Sequence, residues 1–191
     1  MDPNKLNELI ARRRAIFPPF YTDKPIPEEI IHQLLENANW APTHKRTEPW
    51  RFQVFRGSAL DRLANYLADA YTKITPSERY SDTIRDKTRN NILRADTVIV
   101  LILQRDLQER VPEWEEVAAL GAAIQNLWLS ATAFGIGGYW STPGTIRELD
   151  TRLTLPKGQR TMGLFYLGQY ETPPPPGTRG PVADKTVWHN G

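Results

Sequence analysis

The chain has 191 residues, 24 lysines and arginines against 22 acidic residues, and a formal net charge of +2. That length fits one domain able to bury a core unaided, and the near balance of charge argues against a nucleic-acid-binding module. The absence of cysteine excludes a disulfide scaffold, a Cys nucleophile, a zinc ribbon and a thiolate-bound iron–sulfur cluster.

At the N-terminus no basic and apolar leader is visible, so a cytoplasmic protein is expected. Asp2 and Pro3 form an N-cap and N1 pair, and Leu6, Leu9 and Ile10 recur at helical spacing, predicting a helix over 3–15. Pro18 and Pro19 stop it. Pro27, Glu28 and Glu29 open a second helix with Ile30, Ile31, Leu34, Leu35 and Ala38 on one stripe. Residues 50–55, aromatic and β-branched, read as a strand. Residues 58–72 and 76–93 read as surface helices. The run 97–103 is apolar on both faces, which suits a central strand, and it is far short of the ~20 residues that span a bilayer. Residues 113–134 carry apolar or small side chains on almost every face, predicting a helix buried all round, with Gly135 as its C′ residue. Strand candidates follow at 138–140 and 161–167. The elements mix without regular βαβ alternation, so the fold class is α+β. Residues 1–170 form one domain in this reading, and 171–191 an extended Pro-rich tail.

Hydrolytic and nucleotide motifs are missing. His32, His44 and His189 share no metal-ligand spacing, and there is no Gly-x-Ser-x-Gly elbow, P-loop or Gly-x-Gly-x-x-Gly turn. No catalytic side chain and no metal site are predicted. Three segments remain. Arg12-Arg13-Arg14 closes the first helix, either as cations on a helix C-terminus or as a phosphate clamp. Residues 40–50 present His44, Lys45 and Arg46 between Trp40 and Trp50 on a loop stiffened by Pro42 and Pro49. The indoles are either hydrophobic anchors or the walls of a site for a planar or anionic ligand. Trp140, Ser141 and Thr142 end a strand, either packing it or offering donors to the polar edge of a ring.

In this order the three segments resemble the FMN-dependent nitroreductase family, and within it the short single-domain NAD(P)H nitroreductases. The resemblance rests on Arg13-Arg14-Ala15, on the Ala-Pro-x-His-Lys and Pro-Trp-x-Phe pattern in 41–52, and on Pro-x-Trp-Glu in 112–115. Gly-Gly-x-Trp in 137–140 and the Gly-bounded strand 163–168 complete it. It implies a nitroreductase-like fold with a central mixed or antiparallel sheet flanked by helices. It also implies a homodimer with flavin sites at the subunit interface. The Pro-rich tail ends in Val182, Val187 and Trp188, apolar residues that would dock if it wraps over the partner subunit, the alternative being a tail packed on its own subunit or left disordered. FMN would be held by Arg13, Arg14, Ala15, Trp40, His44, Trp140, Ser141 and Thr142. NAD(P)H would be the reductant, and a nitro compound, quinone or similar small molecule the acceptor, with no nucleic acid and no membrane involved. Arg13, His44 or Lys45 would stabilise the reduced ring. The chain departs from the family where Ala15 replaces a hydroxyl residue, Trp40 an arginine and Glu48 an amide. A flavin-binding or flavin-handling protein of the same fold, without nitroreductase activity, is the alternative.

Overall fold

The computed structural model describes residues 2–172 and 174–190. Its layering follows from the apolar run at the centre. β2 (Thr97–Gln104) has no polar face, so it needs cover on both sides. Ile99, Leu101 and Leu103 point into one core beneath α2 (Glu28–Asn39) and α5 (Glu113–Ala133). Val98, Val100 and Ile102 point into the other, beneath α3 (Ser58–Ile74), α4 (Asp82–Leu93) and the short α6 (Glu148–Arg152). With β1 (Trp50–Arg56), β3 (Ile136–Ser141) and β4 (Gln159–Gln169), β2 makes a sheet of order β1-β2-β4-β3. The fold is α+β as expected, and every neighbouring pair in the sheet is antiparallel. The only parallel feature among the described residues is an isolated bridge from Ala15 to Gly138.

Two helix boundaries differ from the sequence expectation by three residues or more, and one short helix is additional. α1 (Pro3–Arg12) starts at the predicted cap, with Asp2 accepting from the Asn4 amide, but it stops before residue 15. The Ile16 amide donates to the Gly138 carbonyl at 3.0 Å, so the free edge of β3 captures residues that helical periodicity would have continued. The helix expected over 76–93 starts only at Asp82. The Tyr71 hydroxyl accepts from the Ser81 amide and holds extended backbone there, after a single 3-10 turn at Ser77–Arg79. α6 is too short for its periodicity to be read. Gly135 does occupy the left-handed C′ position after α5.

α5 is not buried all round within one protomer. Leu120, Ala123, Ile124, Leu127 and Ala131 face the core, while Trp114, Ala118 and Gln125 are exposed, with Gly121, Ala122 and Leu129 half-buried beside them. α1 buries none of its residues and leaves Leu6 and Ile10 open. The apolar surface of the chain therefore exceeds what its own core covers. Among the described residues no helix is long and apolar enough to cross a membrane.

Gly163 has a φ of +148° in β4, and a Cβ there would run into the Trp140 indole and the Ser141 carbonyl. Gly163→Ala is expected to cost about 1–3 kcal/mol through strain and overpacking. Urea denaturation followed by tryptophan emission reads this, and an unchanged midpoint would show that Trp140 is free to move.

Candidate functional site

The chain leaves α1 as an extended segment, Arg13 to Ala15, laid along the edge of β3. This placement depends on Gly138. A Cβ there would strike the rings of Phe165 and Trp128, so glycine lets Trp128 of α5 lie against the strand. Trp128 then serves the segment twice: its Nε1 donates to the Arg14 carbonyl at 3.1 Å, and its ring lies 4.6 Å beneath the Arg13 guanidinium. Trp140 follows two residues after Gly138 on the same face of the strand, packed against the same core. Ser141, half-buried, and Thr142, exposed, continue from it.

The tail brings a further cation. Gly177 passes directly over the Arg14 guanidinium, and Arg179 stands close enough to act on Arg13. Partial burial first, then Arg179 and Arg14, hold the Arg13 pKa below its ordinary value. An arginine so shifted is still charged at neutral pH, so three guanidinium groups gather with their like charges unrelieved. Two buried nitrogens, Arg14 Nε and Trp140 Nε1, have no hydrogen-bond partner in the protein. An orphaned Arg14 Nε within a cationic cluster, with the Trp128 ring beside it, fits a ligand carrying a phosphate. FMN has that chemistry.

The loop after α2 forms a second locus, at the other end of α5. His44 Nδ1 lies 2.5 Å from Glu115 Oε2, and the Lys45 ammonium donates to the Arg110 carbonyl at 3.0 Å. Lys45, Arg46 and Glu48 all adopt left-handed backbone, which non-glycine residues tolerate only where the surroundings impose it, and such strain concentrates at ligand sites. Trp50 is the buried anchor of the loop, its Nε1 donating to Asn39. Trp40 is 79% exposed, its indole donating to Glu36 across one helical turn. It borders an apolar groove of about 360 Å³ with Leu6, Leu129 and Phe134.

Within one protomer the predicted residues therefore do not all meet. Arg13, Arg14 and Ala15 lie along the edge of β3 beside Gly138, whereas the Trp140 indole lies over Gly163 of β4, with Ser141 and Thr142 beyond. Trp40 borders α1 and the C-terminal part of α5. His44 is anchored to Glu115, about 20 Å along α5 from Trp128 at 1.5 Å per residue. The sequence reading passed over Trp128, Glu115 and Gly138 as individuals. It also missed the ion pair that fixes the N-terminal end of α5. Glu116 is fully buried, pairs with Arg105 and accepts from the Asp106 amide at 2.9 Å. Among the described residues no group of His, Asp or Glu side chains converges as a metal site.

The profile of the nitroreductase family matches residues 10–169. YfhC of Bacillus subtilis, classed by its name with the NAD(P)H nitroreductases, is 28% identical over 183 residues, covering 94% of this chain and 92% of its own. Among solved structures, a nitroreductase-like family protein from Bacillus cereus superposes with a TM-score of 0.82 at 25% identity, covering 97% of this chain and 96% of its own. NfnB from Mycobacterium smegmatis, an FMN-dependent nitroreductase in complex with NADPH, shares the fold. Its TM-score is 0.76 at 18% identity, with coverage of 98% and 99%.

Removing Arg105 would leave the Glu116 carboxylate buried without its partner. Arg105→Ala is expected to lower stability by about 3–5 kcal/mol, measured by urea unfolding at neutral pH. A loss below about 1 kcal/mol would mean that water reaches Glu116.

Proposed function

Since this chain belongs to the nitroreductase family, we propose that it is a flavoprotein oxidoreductase that uses NAD(P)H to reduce nitro compounds, quinones or similar acceptors through bound FMN. The observation that carries the reading is the cluster of Arg13, Arg14 and Arg179, like charges gathered about the buried, orphaned Nε of Arg14. FMN, when bound, supplies the redox chemistry, taking electrons from the dinucleotide and passing them to the acceptor in alternating half-reactions. The chain supplies binding, orientation and charge. Arg13 and Arg14 hold the phosphate end by charge-assisted hydrogen bonds. Ala15 contributes backbone only, in place of a hydroxyl donor. Trp140, with its free Nε1, Ser141 and Thr142 line the ring. The absence of a nucleophile or acid–base dyad agrees with chemistry carried by a cofactor.

His44 and Trp40 join this site from a second copy of the chain. The distance of His44 from Arg13 along α5 supports that assignment for His44, and for Trp40 it is supported by the apolar surface left open beside it on α1 and α5. The tail supports it too. After passing Arg14 it carries Val182, Val187 and Trp188, each more than three-quarters exposed, which dock on the partner subunit in the homodimer. The protein works in the cytoplasm, on small molecules.

Two measurements test the reading. The purified protein is expected to be yellow, or to take up added FMN, and Arg13→Ala to weaken FMN about ten- to a hundredfold while far-UV circular dichroism stays unchanged. A protein that never binds FMN overturns the assignment. Light scattering is expected to give a dimer at micromolar concentration for the full chain, and a weakened dimer for a chain ending at Tyr170. A monomeric full chain removes the shared site.

A further inference from the structure

The positive charge of α1 exceeds what one flavin phosphate needs. Arg13 lies over Trp128, whereas Lys5 and Arg12, seven residues apart on one face of α1, stand with Arg14 on another wall. There Arg12 donates through one Nη to the Thr132 carbonyl at 3.4 Å and keeps its other donors for a ligand. Lys5 and Arg12 border a second groove of about 900 Å³, between α1, the start of β3 and the chain's own tail. Glu8 is the single carboxylate among its lining residues, against Lys5, Arg12 and Arg14. The Arg14 guanidinium is turned partly to carbonyls, donating through Nη1 to Ala11 and Arg13, while its buried Nε is left without a partner. Tyr170 and the prolines of 174–176 form an opposing wall with no charge, suited to a flat aromatic base. The groove is large enough for a nucleotide. Lys5 and Arg12 stand two helical turns apart, about 10 Å, so they can engage a ligand with separated anionic groups.

We propose that this groove takes the phosphorylated adenosine end of the dinucleotide reductant, with Arg12 and Lys5 recognising its 2′-phosphate, so that the protein prefers NADPH to NADH. The inference rests on the flavoprotein reading above and adds the part of the reductant that this reading leaves unplaced. The bidentate fork of Arg12 gives phosphate geometry as well as charge, while Lys5 acts as a point charge. The tail has a second duty here. Its prolines build the wall of the groove before the chain crosses Arg14.

Calorimetric titration of the FMN-loaded protein with 2′,5′-ADP, 5′-AMP and inorganic phosphate tests this. The expected order is 2′,5′-ADP tightest. Arg12→Ala and Lys5→Ala should each weaken 2′,5′-ADP by about tenfold, change 5′-AMP by less than twofold, and leave FMN affinity unaltered. In turnover, the ratio of kcat/KM for NADPH over NADH should fall towards one in both variants. Equal binding of 2′,5′-ADP and 5′-AMP, or inorganic phosphate binding as tightly as 2′,5′-ADP, overturns the proposal. If either variant instead loses FMN, the groove holds the flavin's own phosphate, and the proposal fails while the flavoprotein reading stands. If the protein takes up no FMN at all, the flavoprotein reading fails separately, and titrating the flavin-free protein still decides whether the groove distinguishes a 2′-phosphate.

Discussion

Two backbone contacts, the Ala15–Gly138 bridge and the hydrogen bond from the Ile16 amide to the Gly138 carbonyl, decide where the cationic segment sits. α1 itself buries no residue, so its own packing cannot fix the arginines that follow it. The edge strand does. Gly138 makes room for Trp128 and Phe165, whose rings meet edge to face at 5.3 Å, and Trp128 in turn holds the Arg14 carbonyl. From the other face of the sheet, the Tyr21 hydroxyl donates to the Ile16 carbonyl at 2.8 Å, and its ring covers Gly168. The segment is thus pinned between two aromatic side chains across an edge that would otherwise offer unpaired donors and acceptors.

Electrostatics gives this pinned segment its meaning. Elsewhere the fold pairs several partly buried arginines with acids, Arg105 with Glu116 and Arg56 with Asp96 at 3.0 Å, and gives Arg89 the side-chain carbonyl of Asn65. At Arg13 the charged neighbours are Arg179 and Arg14, and the nearest compensation is the face of Trp128. Gathering like charges raises the energy of the folded chain. A bound anion relieves the repulsion, and because it binds the folded state alone it adds to stability by mass action. The same rule that makes Arg105 structural supports the proposal that Arg13 binds a ligand. The difference lies in which partner the fold leaves for a ligand to provide.

Much of this was legible in the sequence where periodicity is strong. The apolar run 97–103 announced a strand buried on both faces, and Gly135 marked the end of α5 because only a left-handed residue closes that helix. The Arg13–Ala15, His44 and Trp140 segments were recognisable as motifs. Their geometry was not. The end of α1 depends on a strand more than a hundred residues away, which outweighs the local preference that would have extended the helix to residue 15. Arg179 meets Arg13 only through the path of the tail, and Glu116 meets Arg105 across a loop. Neither contact leaves a periodic trace. Trp128 was read as one apolar residue among many on α5, since hydropathy does not distinguish a buried indole from one with a cation on its face. For the same reason the helix was expected to be covered on all sides. Its composition says that every face wants cover, without saying which molecule provides it.

α5 also measures the distance that the shared site must span. Glu115, which holds His44, and Trp128, which holds Arg13, are separated by about 20 Å of helix, too far for both to touch the same phosphate. In the homodimer proposed above, a twofold axis would reverse one α5 against the other. Placed at the midpoint of that interval, it would bring the Glu115 end of one copy to the Trp128 position of the other, twice over. The midpoint falls between Gly121 and Ala122, which with Ala118 put small side chains on the outer face of α5 there, half-buried or exposed, with Gln125 one turn further on. Small side chains let two helices approach closely, whereas a leucine in either position would hold them apart. Beyond that crossing, Leu6, Trp40, Leu129 and Phe134 supply the apolar surface that a stable pairing must bury. On that proposal, one symmetry operation would account for three features together: the open stripe of α5, the exposed indole of Trp40, and a histidine anchored far from the arginines with which the proposed site groups it.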